Sequence, residues 1–359
     1  MALGDVASGV GGTLLMALVA TDIFRSLLVP RSNHRALRLG PVLGRLLFPL
    51  WHGAAGLAPK PGLQQTLRAG LAPFLLVMSL LIWAGLLILG FGLIFWADRA
   101  SFHGLFHRLS DAIYVAGGVF ATLDVPDGVT GTFARIAAVA CALGGLAIVT
   151  VVATFLISIQ SGFSRREALV LRLEAHVTLP PAGIAILEAY ASEHIVGRLG
   201  AFFDAWEAWS AEVAISHRAF PILLFFRSND SRCEWLAALG AVLDAAALLD
   251  ATVEDAPAGA RAAAHFLLRT GARLLCDTAD LMVDEPGAEA ALADAARFDA
   301  HRARLERAGY RLVADRDAAI LRFIDRRRTF APALIALADR LRIEVDQRRG
   351  DDPDSEPQP

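Results

Sequence analysis

The sequence predicts an all-α membrane protein with three transmembrane helices, a short re-entrant helix and loop between the second and the third, and an all-α cytoplasmic domain. Two observations lead to this fold class. Hydrophobic residues make up 55% of the 359 residues, and the mean hydropathy is +0.48, which is more apolar than a water-soluble chain usually is. The charged residues, 20% of the total, are also spread unevenly and leave long stretches without any charge.

Three apolar runs are long enough to cross a hydrocarbon layer of about 30 Å as helices. The runs at 71–97 and 136–159 contain no charged residue, whereas the run at 6–29 contains Asp22 and Arg25. No lysine or arginine precedes Arg25, and the run exceeds the core of a signal peptide, so we interpret it as a retained span. Asp22 and Arg25 lie about one helical turn apart and are expected to pair with each other.

The charges of the connecting segments predict the orientation of the spans. Residues 31–70 contain several basic residues and no Asp or Glu, whereas residues 98–131 contain more acidic than basic residues. Because loops rich in lysine and arginine stay in the cytoplasm, we expect the N-terminus outside and the C-terminus in the cytoplasm. The basic segment is either an amphipathic stretch on anionic lipids of the inner leaflet or a plain solvated connector.

The segment between the second and third spans is not an ordinary polar loop. It contains "LSDAIYVAGGVFATL", in which Ser110 or Asp111 can cap a short helix, and the apolar run at 112–121 is too short to span. Non-helical backbone at membrane depth must be buried in protein or line water. A short helix with an extended return therefore indicates an oligomer that surrounds an aqueous path.

The stretch "FHRLSDAIYVAGGVFATLDVPDG" and the apolar run after it resemble the pore domain of the two-span potassium-channel-like family. In that family a pore helix leads into a selectivity filter, Thr-Val-Gly-Tyr-Gly-Asp, whose backbone carbonyls replace the water of the ion. Aligned without gaps, Thr122, Leu123 and Asp127 fall on the threonine, the valine and the final aspartate. The resemblance covers residues 73–164 and extends more weakly to residue 248.

The middle of the aligned filter departs from the family pattern. Asp124, Val125 and Pro126 stand where the family has Gly, Tyr and Gly. Glycine allows backbone angles that other residues avoid, and Pro126 has a fixed φ and no N–H, so a standard potassium filter is not expected. Copies of Asp124 and Asp127 around one axis would instead form acidic rings, which favour cations. The alternative is an extracellular turn, since "VPDG" is also an ordinary turn sequence.

The resemblance implies a homotetrameric, potassium-channel-like pore of the bacterial inner membrane that conducts monovalent cations, potassium foremost. The narrow part would consist of Thr122, Leu123, Asp124, Val125, Pro126 and Asp127. Thr150, Thr154 and Ser158 share one helical face of the third span and would line the inner cavity. Alternatively, their hydroxyls bond to carbonyls four residues back or pack helices together. The alternative function is a non-conducting membrane sensor or scaffold derived from the channel fold.

Other function classes find no support in the sequence. No nucleophile–base arrangement, nucleotide-binding fingerprint or metal-ligand spacing is present, so neither an enzyme nor a cofactor site is predicted. The three cysteines, Cys141, Cys233 and Cys276, are interpreted as small apolar filler. The net charge of −3 gives no reason to expect a nucleic-acid partner.

The predicted domain order follows from these patterns. It comprises a first span (1–30), a basic amphipathic segment (31–70), a pore domain (71–160), a helical cytoplasmic domain (161–346) and a disordered acidic tail (347–359). In the cytoplasmic domain, apolar periodicity predicts helices near 182–193, 196–217, 233–251, 258–283, 288–308 and 315–345. Gating would pass through residues 164–175 to the third span. His217, Arg227 and Asp244 could form a ligand site or, as the plainer interpretation, a satisfied polar network in the core.

Overall fold

The computed structural model describes residues 3–27, 61–123, 127, 129–228, 232–282 and 295–345, which are helical, with no β-strand among them. The chain divides into two compact units, Met1–Gln160 and Ser161–Pro359. The basic stretch at 31–60 and the predicted tail at 347–359 lie outside the described residues.

The first unit is built from long apolar helices. They are α1 (Leu3–Leu27), α2 (Pro61–Ala97), the short α3 (Leu109–Phe120) and α4 (Thr132–Glu174), which continues past the end of the unit. Helix α2 begins at Pro61, well before the predicted domain boundary at 70/71, and proline is favoured at the start of a helix because its missing N–H has no partner there anyway. Helix α4 continues well beyond the apolar run at 136–159 and ends at Glu174.

Helices α1 and α2 pack against each other as an antiparallel pair, in which Gly12 allows a close approach. A Cβ atom added at Gly12 would lie 2.5 Å from the carbonyl oxygen of Gly90, closer than real contacts allow. Small residues at such crossings are typical of membrane helices, where close van der Waals packing replaces the hydrophobic effect as the force that associates helices.

Polar contacts tie the two ends of this helix pair together. Asp5 at the start of α1 forms an ion pair with Arg99, which follows α2. Near the other end, the indole nitrogen of Trp83 donates to Asp22 at 2.8 Å. Trp83 is a partner for Asp22 that the sequence analysis did not predict.

The second unit is an all-helical domain around one central helix. Its helices after α4 are α5 (Gly183–Ser192), α6 (Leu199–Ala219), α7 (Trp235–Thr252), α8 (Ala258–Met282), α9 (Ala295–Arg307), α10 (Arg316–Arg328) and α11 (Ala331–Leu341). Helix α7 packs against α5, α8 and α10, and nearly all its residues are buried. A helix that is enclosed on all sides is apolar on all sides.

Four helical segments in the described part of the chain are long and apolar enough to cross a membrane: Gly4–Arg25, Val77–Ala97, Thr132–Glu174 and Trp235–Thr252. Such lengths and compositions are those of a membrane-embedded protein. The fourth segment is α7, and 94% of it is buried inside the second unit, against 11–28% for the other three. The enclosure of α7 by its own unit accounts for its apolar composition without a membrane.

The helix predicted at 315–345 is wrong in one respect, because two helices occupy this range. Helix α10 ends at Arg328, and α11 begins at Ala331 with a proline in its first turn, Pro332. A proline inside a helix removes one backbone hydrogen bond and clashes with the preceding turn, whereas it fits the first turn. The sequence signal for the break was therefore Pro332.

Candidate functional site

At the start of the short helix α3, the side chain of Asp111 accepts hydrogen bonds from backbone N–H groups. The carboxylate of Asp111 accepts hydrogen bonds from the backbone N–H groups of His107 and Arg108, both at 2.8 Å. Arg108 is the N-cap, so Asp111, which the sequence suggested as the cap itself, lies inside the first turn and reaches back. This arrangement is the carboxylate half of a capping box, and it sets the direction in which the chain enters α3.

Helix α3 packs closely on α2 through a glycine. A Cβ atom added at Gly92 of α2 would come within 2.8 Å of the Ile113 side chain. On the side of α4, the Cys141 thiol donates to the carbonyl oxygen of Ala116 at 3.4 Å. Ala112, Ala116 and Cys141 are fully buried, so α3 is held between its neighbours by small side chains.

The C-terminal end of α3 touches the backbone of α4 at Gly145. A Cβ atom added there would overlap the carbonyl oxygen of Phe120, the last residue of α3. The neighbouring Gly144 is different, because a Cβ atom added to it would make an ordinary contact of 3.5 Å with the ring of Phe91. Only one of the two adjacent glycines is therefore required by close backbone approach.

Thr122 terminates α3 in a backbone conformation that is unusual for its type. Its φ is +57°, in the left-handed region. Its N–H donates to Val119 at 3.0 Å, and the N–H of Leu123 donates to Gly118 at 2.9 Å. These two bonds are those of a Schellman motif, in which glycine normally takes the left-handed position. For a β-branched residue the same conformation is strained, by about 1–2 kcal/mol.

The residues of the predicted filter that the structure describes are exposed. Thr122, Leu123 and Asp127 are all exposed, Leu123 to 80%. Asp124, Val125 and Pro126 lie outside the described residues. The polypeptide therefore presents the start of the loop to its surroundings at the C-terminal end of α3, where the helix dipole is negative.

The return of the loop to α4 is anchored on the end of α2. Thr130 donates its N–H to the carbonyl of Ser101 at 3.1 Å, and the Ser101 hydroxyl donates to Asp98 at 3.0 Å. Arg135 in the first turn of α4 donates to the carbonyl of Val129 at 2.8 Å. Both ends of the loop are thus fixed to the same helices that hold α3.

The predicted inner stripe, Thr150, Thr154 and Ser158, lies along one face of α4, with Thr150 and Thr154 exposed and Ser158 half-buried. Each hydroxyl donates to the carbonyl four residues earlier: Thr150 to Leu146 and Thr154 to Thr150 at 2.9 Å, and Ser158 to Thr154 at 2.8 Å. Hydrogen bonds to carbonyls four residues back, one of the two alternatives, therefore account for the hydroxyl protons of these residues. Each hydroxyl oxygen keeps lone pairs that can accept from water or a cation.

Sequence reasoning missed the most heavily bonded residue of the second unit, Arg166. Arg166 follows the apolar run of the third span, and its side chain is fully buried. Its guanidinium pairs with Glu167 at 2.9 Å and donates to the carbonyls of Leu223 at 2.9 Å and Phe226 at 2.7 Å. Arg166 also stacks near the rings of Phe163 and Trp235.

His217 belongs to this Arg166 cluster, and its contacts indicate a neutral ring. Nδ1 lies 2.9 Å from the carbonyl oxygen of Val213, and Nε2 lies 3.4 Å from a guanidinium nitrogen of Arg166. A carbonyl requires a donor at Nδ1, and a guanidinium requires an acceptor at Nε2, so the proton is assigned to Nδ1. Burial, together with the charge of Arg166, lowers the pKa of His217 from 6.5 to about 3.

His217, Arg227 and Asp244 each contact a different charged residue, with His217 beside Arg166. Arg227 bonds to Glu234 at 3.1 Å and to the carbonyl of Leu341 at 2.7 Å, whereas Asp244 pairs with Arg327 at 2.9 Å. Each charged group has a charged partner inside the fold, as buried polar groups require. Burial raises the pKa of Glu234, against the opposing hydrogen bond from the Ser228 N–H and the charge of Arg227.

Among the residues that the structure describes, no group of three or more His, Cys, Asp or Glu side chains could hold a metal ion. Comparison of the chain with protein-family models, with curated proteins and with solved structures gave no significant match.

Proposed function

We propose that this chain is one subunit of a homotetrameric, potassium-channel-like membrane pore that conducts monovalent cations through a non-standard filter loop. In this proposal α1, α2 and α4 are the three spans, α3 is the re-entrant pore helix, and residues 122–127 form the filter. The chain would lie in a bacterial inner membrane with its C-terminal domain in the cytoplasm. Helix α7, which its own unit encloses, would be a core helix of that domain.

The observation that carries the proposal is the placement of α3. A twelve-residue helix is too short to span a membrane, yet it packs on α2 and touches the backbone of α4. Its C-terminal end, with the negative pole of its dipole, leads directly into the loop that contains Asp124 and Asp127. Carbonyls and acidic side chains at one point are the groups that attract cations.

The exposed face of α4 gives a second line of support. Leu143, Leu146 and Val149 leave an apolar surface uncovered, and the hydroxyls at 150, 154 and 158 follow it along the helix. In a single chain, hydroxyls on such a face gain nothing from lipid. In a tetramer the same face would surround a common axis, and the hydroxyl oxygens would then line an aqueous cavity.

Ion flux from proteoliposomes tests the proposal. Purified protein is reconstituted with potassium, sodium or chloride gradients, and the wild type is compared with Asp124→Asn and Asp127→Asn. We expect cation flux, with potassium at least as permeant as sodium, and a reduced or altered permeability ratio in both variants. Asp204→Asn, an exposed acidic residue of the cytoplasmic unit, is the charge-matched control and is expected to behave as wild type.

The alternative, a non-conducting sensor or scaffold, predicts a different outcome. A protein that is tetrameric by native mass spectrometry but passes no potassium, sodium or chloride would support it. Equal flux in the wild type and in the double variant of Asp124 and Asp127 would show that the acidic rings play no part, and would contradict the filter assignment.

A further inference from the structure

A cavity in the second unit is not explained by the proposed pore. It has a volume of about 340 Å³ and lies between α8 and the end of α10. Its lining consists of Ala262, His265, Phe266, Leu268, Arg269, Ala272, Arg326 and Thr329. Pockets that hold small molecules are about 300–1,000 Å³, mostly apolar, with a few fixed polar groups, so this cavity has the size and the lining of a small ligand site.

The apolar part of the cavity retains an exposed aromatic side chain. Phe266 is 59% exposed although its neighbour on the same helix, Leu267, is fully buried. Ala262, one turn earlier on α8, leaves room beside the ring. An exposed ring next to small residues provides a surface against which an apolar group can stack.

The polar side chains of the cavity are fixed in position by a buried carboxylate. Asp250 at the end of α7 has a side chain only 7% exposed, and each of its carboxylate oxygens has one partner. One oxygen lies 2.8 Å from Nε2 of His265, and the other accepts from Nε of Arg326 at 2.8 Å. A second guanidinium nitrogen of Arg326 lies 3.2 Å from His265. A guanidinium fixed in this way loses little rotamer freedom when it binds a ligand.

The charges around the cavity leave one positive charge unbalanced. Asp250 neutralises Arg326, whereas Arg269, which is exposed, forms no ion pair with any of the described residues. The Nη1 group of Arg326 also has no hydrogen-bond partner within the described part of the chain. Two arginine donors with one net positive charge suit a single carboxylate, which guanidinium groups bind through paired hydrogen bonds.

We propose that this cavity, the Arg269–Arg326 pocket, binds a soluble organic monocarboxylate whose apolar body stacks on Phe266. The carboxylate would accept hydrogen bonds from Arg326 and Arg269 at the rim, and the body would fill the space beside Ala262. The proposal does not depend on ion conduction, and binding is measured without any flux. If no carboxylate binds, the pore proposal is unaffected. If no ion flux is found, the pocket proposal is unaffected.

The test uses the full-length protein in phosphatidylcholine nanodiscs and the probe 4-phenylbutanoate, with binding followed by saturation-transfer NMR against empty nanodiscs. For a ligand of this size we expect a Kd on the order of 0.1–1 mM. The neutral alcohol 4-phenylbutanol has the same apolar body, and acetate has the same head group. Both are expected to bind at least about tenfold more weakly than 4-phenylbutanoate, since each lacks one half of the interaction.

Four variants, one of them a matched control, locate the binding. Arg269→Gln, at an exposed position that leaves the fold intact, is expected to weaken 4-phenylbutanoate about fivefold, and Ala262→Trp is expected to abolish binding by filling the cavity. Arg328→Gln, an exposed arginine of α10 outside the lining, is the matched control and is expected to leave the Kd unchanged. Arg326→Gln is measured together with its melting temperature, because it also removes a partner of buried Asp250.

Three results would overturn the assignment. The first is equal binding of the carboxylate and the alcohol, and the second is an equal Kd in Arg269→Gln and Arg328→Gln. The third is loss of 4-phenylbutanoate binding when phosphatidylglycerol is added to the nanodiscs, which would assign the pocket to an anionic lipid head group instead of a soluble ligand.

Discussion

The two units of this chain are both helical, but they differ in how much apolar surface they enclose. Close glycine contacts occur in both, since a Cβ atom added at Gly183 of the second unit would lie 2.6 Å from the backbone nitrogen of Ala245. In the first unit, helices meet at glycines such as Gly12 and Gly145, and much of the apolar surface of α4 remains uncovered. In the second unit, apolar side chains are enclosed around α7, and charged groups such as Arg166 and Asp244 are buried with partners. Uncovered apolar surface is what lipid accepts, whereas water drives apolar surface into a core.

This comparison also shows that a long apolar helix can be required by two different environments. Val77–Ala97 and Trp235–Thr252 satisfy the same criteria of length and hydropathy, yet 22% of the first and 94% of the second is buried. A span needs apolar residues because lipid surrounds it, and a central helix needs them because other helices surround it. Four variants test the contrast, from the largest expected effect to the smallest.

Arg166→Met should have the largest effect, and it should be confined to the second unit. The substitution leaves Glu167 buried without its cation and the carbonyls of Leu223 and Phe226 without a donor. Breaking a buried pair in this way costs about 3–5 kcal/mol of unfolding free energy. Thermal unfolding and hydrogen exchange of residues 161–345 measure it. Arg165→Gln, the exposed neighbour, is the control, and equal effects of the two would refute the role of burial.

Gly145→Ala tests glycine packing in the first unit. The added Cβ atom meets the carbonyl oxygen of Phe120, and since neither backbone can yield easily, we expect a loss of roughly 2–3 kcal/mol and a displaced α3. Gly144→Ala, one residue earlier, meets only the ring of Phe91 at 3.5 Å and should be almost neutral. Thermal unfolding in nanodiscs compares the two. Similar melting temperatures for both variants would contradict the close approach of α3 and α4.

His217→Gln tests the buried network through pH. The pKa of His217 is about 3 in the folded protein and 6.5 when unfolded, so below pH 6.5 the unfolded chain binds a proton that the folded chain does not. Stability from this group is complete above pH 6.5 and is lost as the pH falls toward 3. At pH 5 the loss is on the order of 2 kcal/mol.

The glutamine variant should lose this acid sensitivity because glutamine does not titrate, and it should keep the fold because its amide can still bond to Val213 and Arg166. Denaturant unfolding at pH 7.5 and pH 5 measures the difference between the variants. His176→Gln, at an exposed position, is the control and should keep the wild-type pH dependence. An unchanged pH dependence in His217→Gln would show that the buried neutral ring has no energetic consequence.

Thr122→Gly should have the smallest effect and the opposite sign. Glycine adopts the left-handed conformation at φ +57° without the clash of a β-branched side chain, so the variant should be more stable by about 1 kcal/mol. Leu123→Gly, at the next position, should be neutral or destabilising. If the proposed pore is correct, Thr122→Gly should also alter permeability, because strain retained at a position is typical of a functional site.

Much of the fold could be predicted from local patterns in the sequence. The lengths of the apolar runs predicted α1, α2 and α4, and the short run after Asp111 predicted α3. Apolar periodicity predicted a helix near 196–217, and Trp206, Trp209, Val213 and His217, which recur there at helical spacing, are all buried on α6. Such features depend on residues a few positions apart, because helical periodicity and capping are local properties.

The tertiary structure decided everything that depends on residues far apart in the chain. It enclosed α7, which meets the same criteria of length and hydropathy as the three predicted spans, and it buried Arg166 among carbonyls more than fifty residues away. It placed Trp83 against Asp22, and it brought Asp250, His265 and Arg326 from three helices to one cavity. The sequence determines which groups need partners, and only the packing of distant segments determines which partners they find.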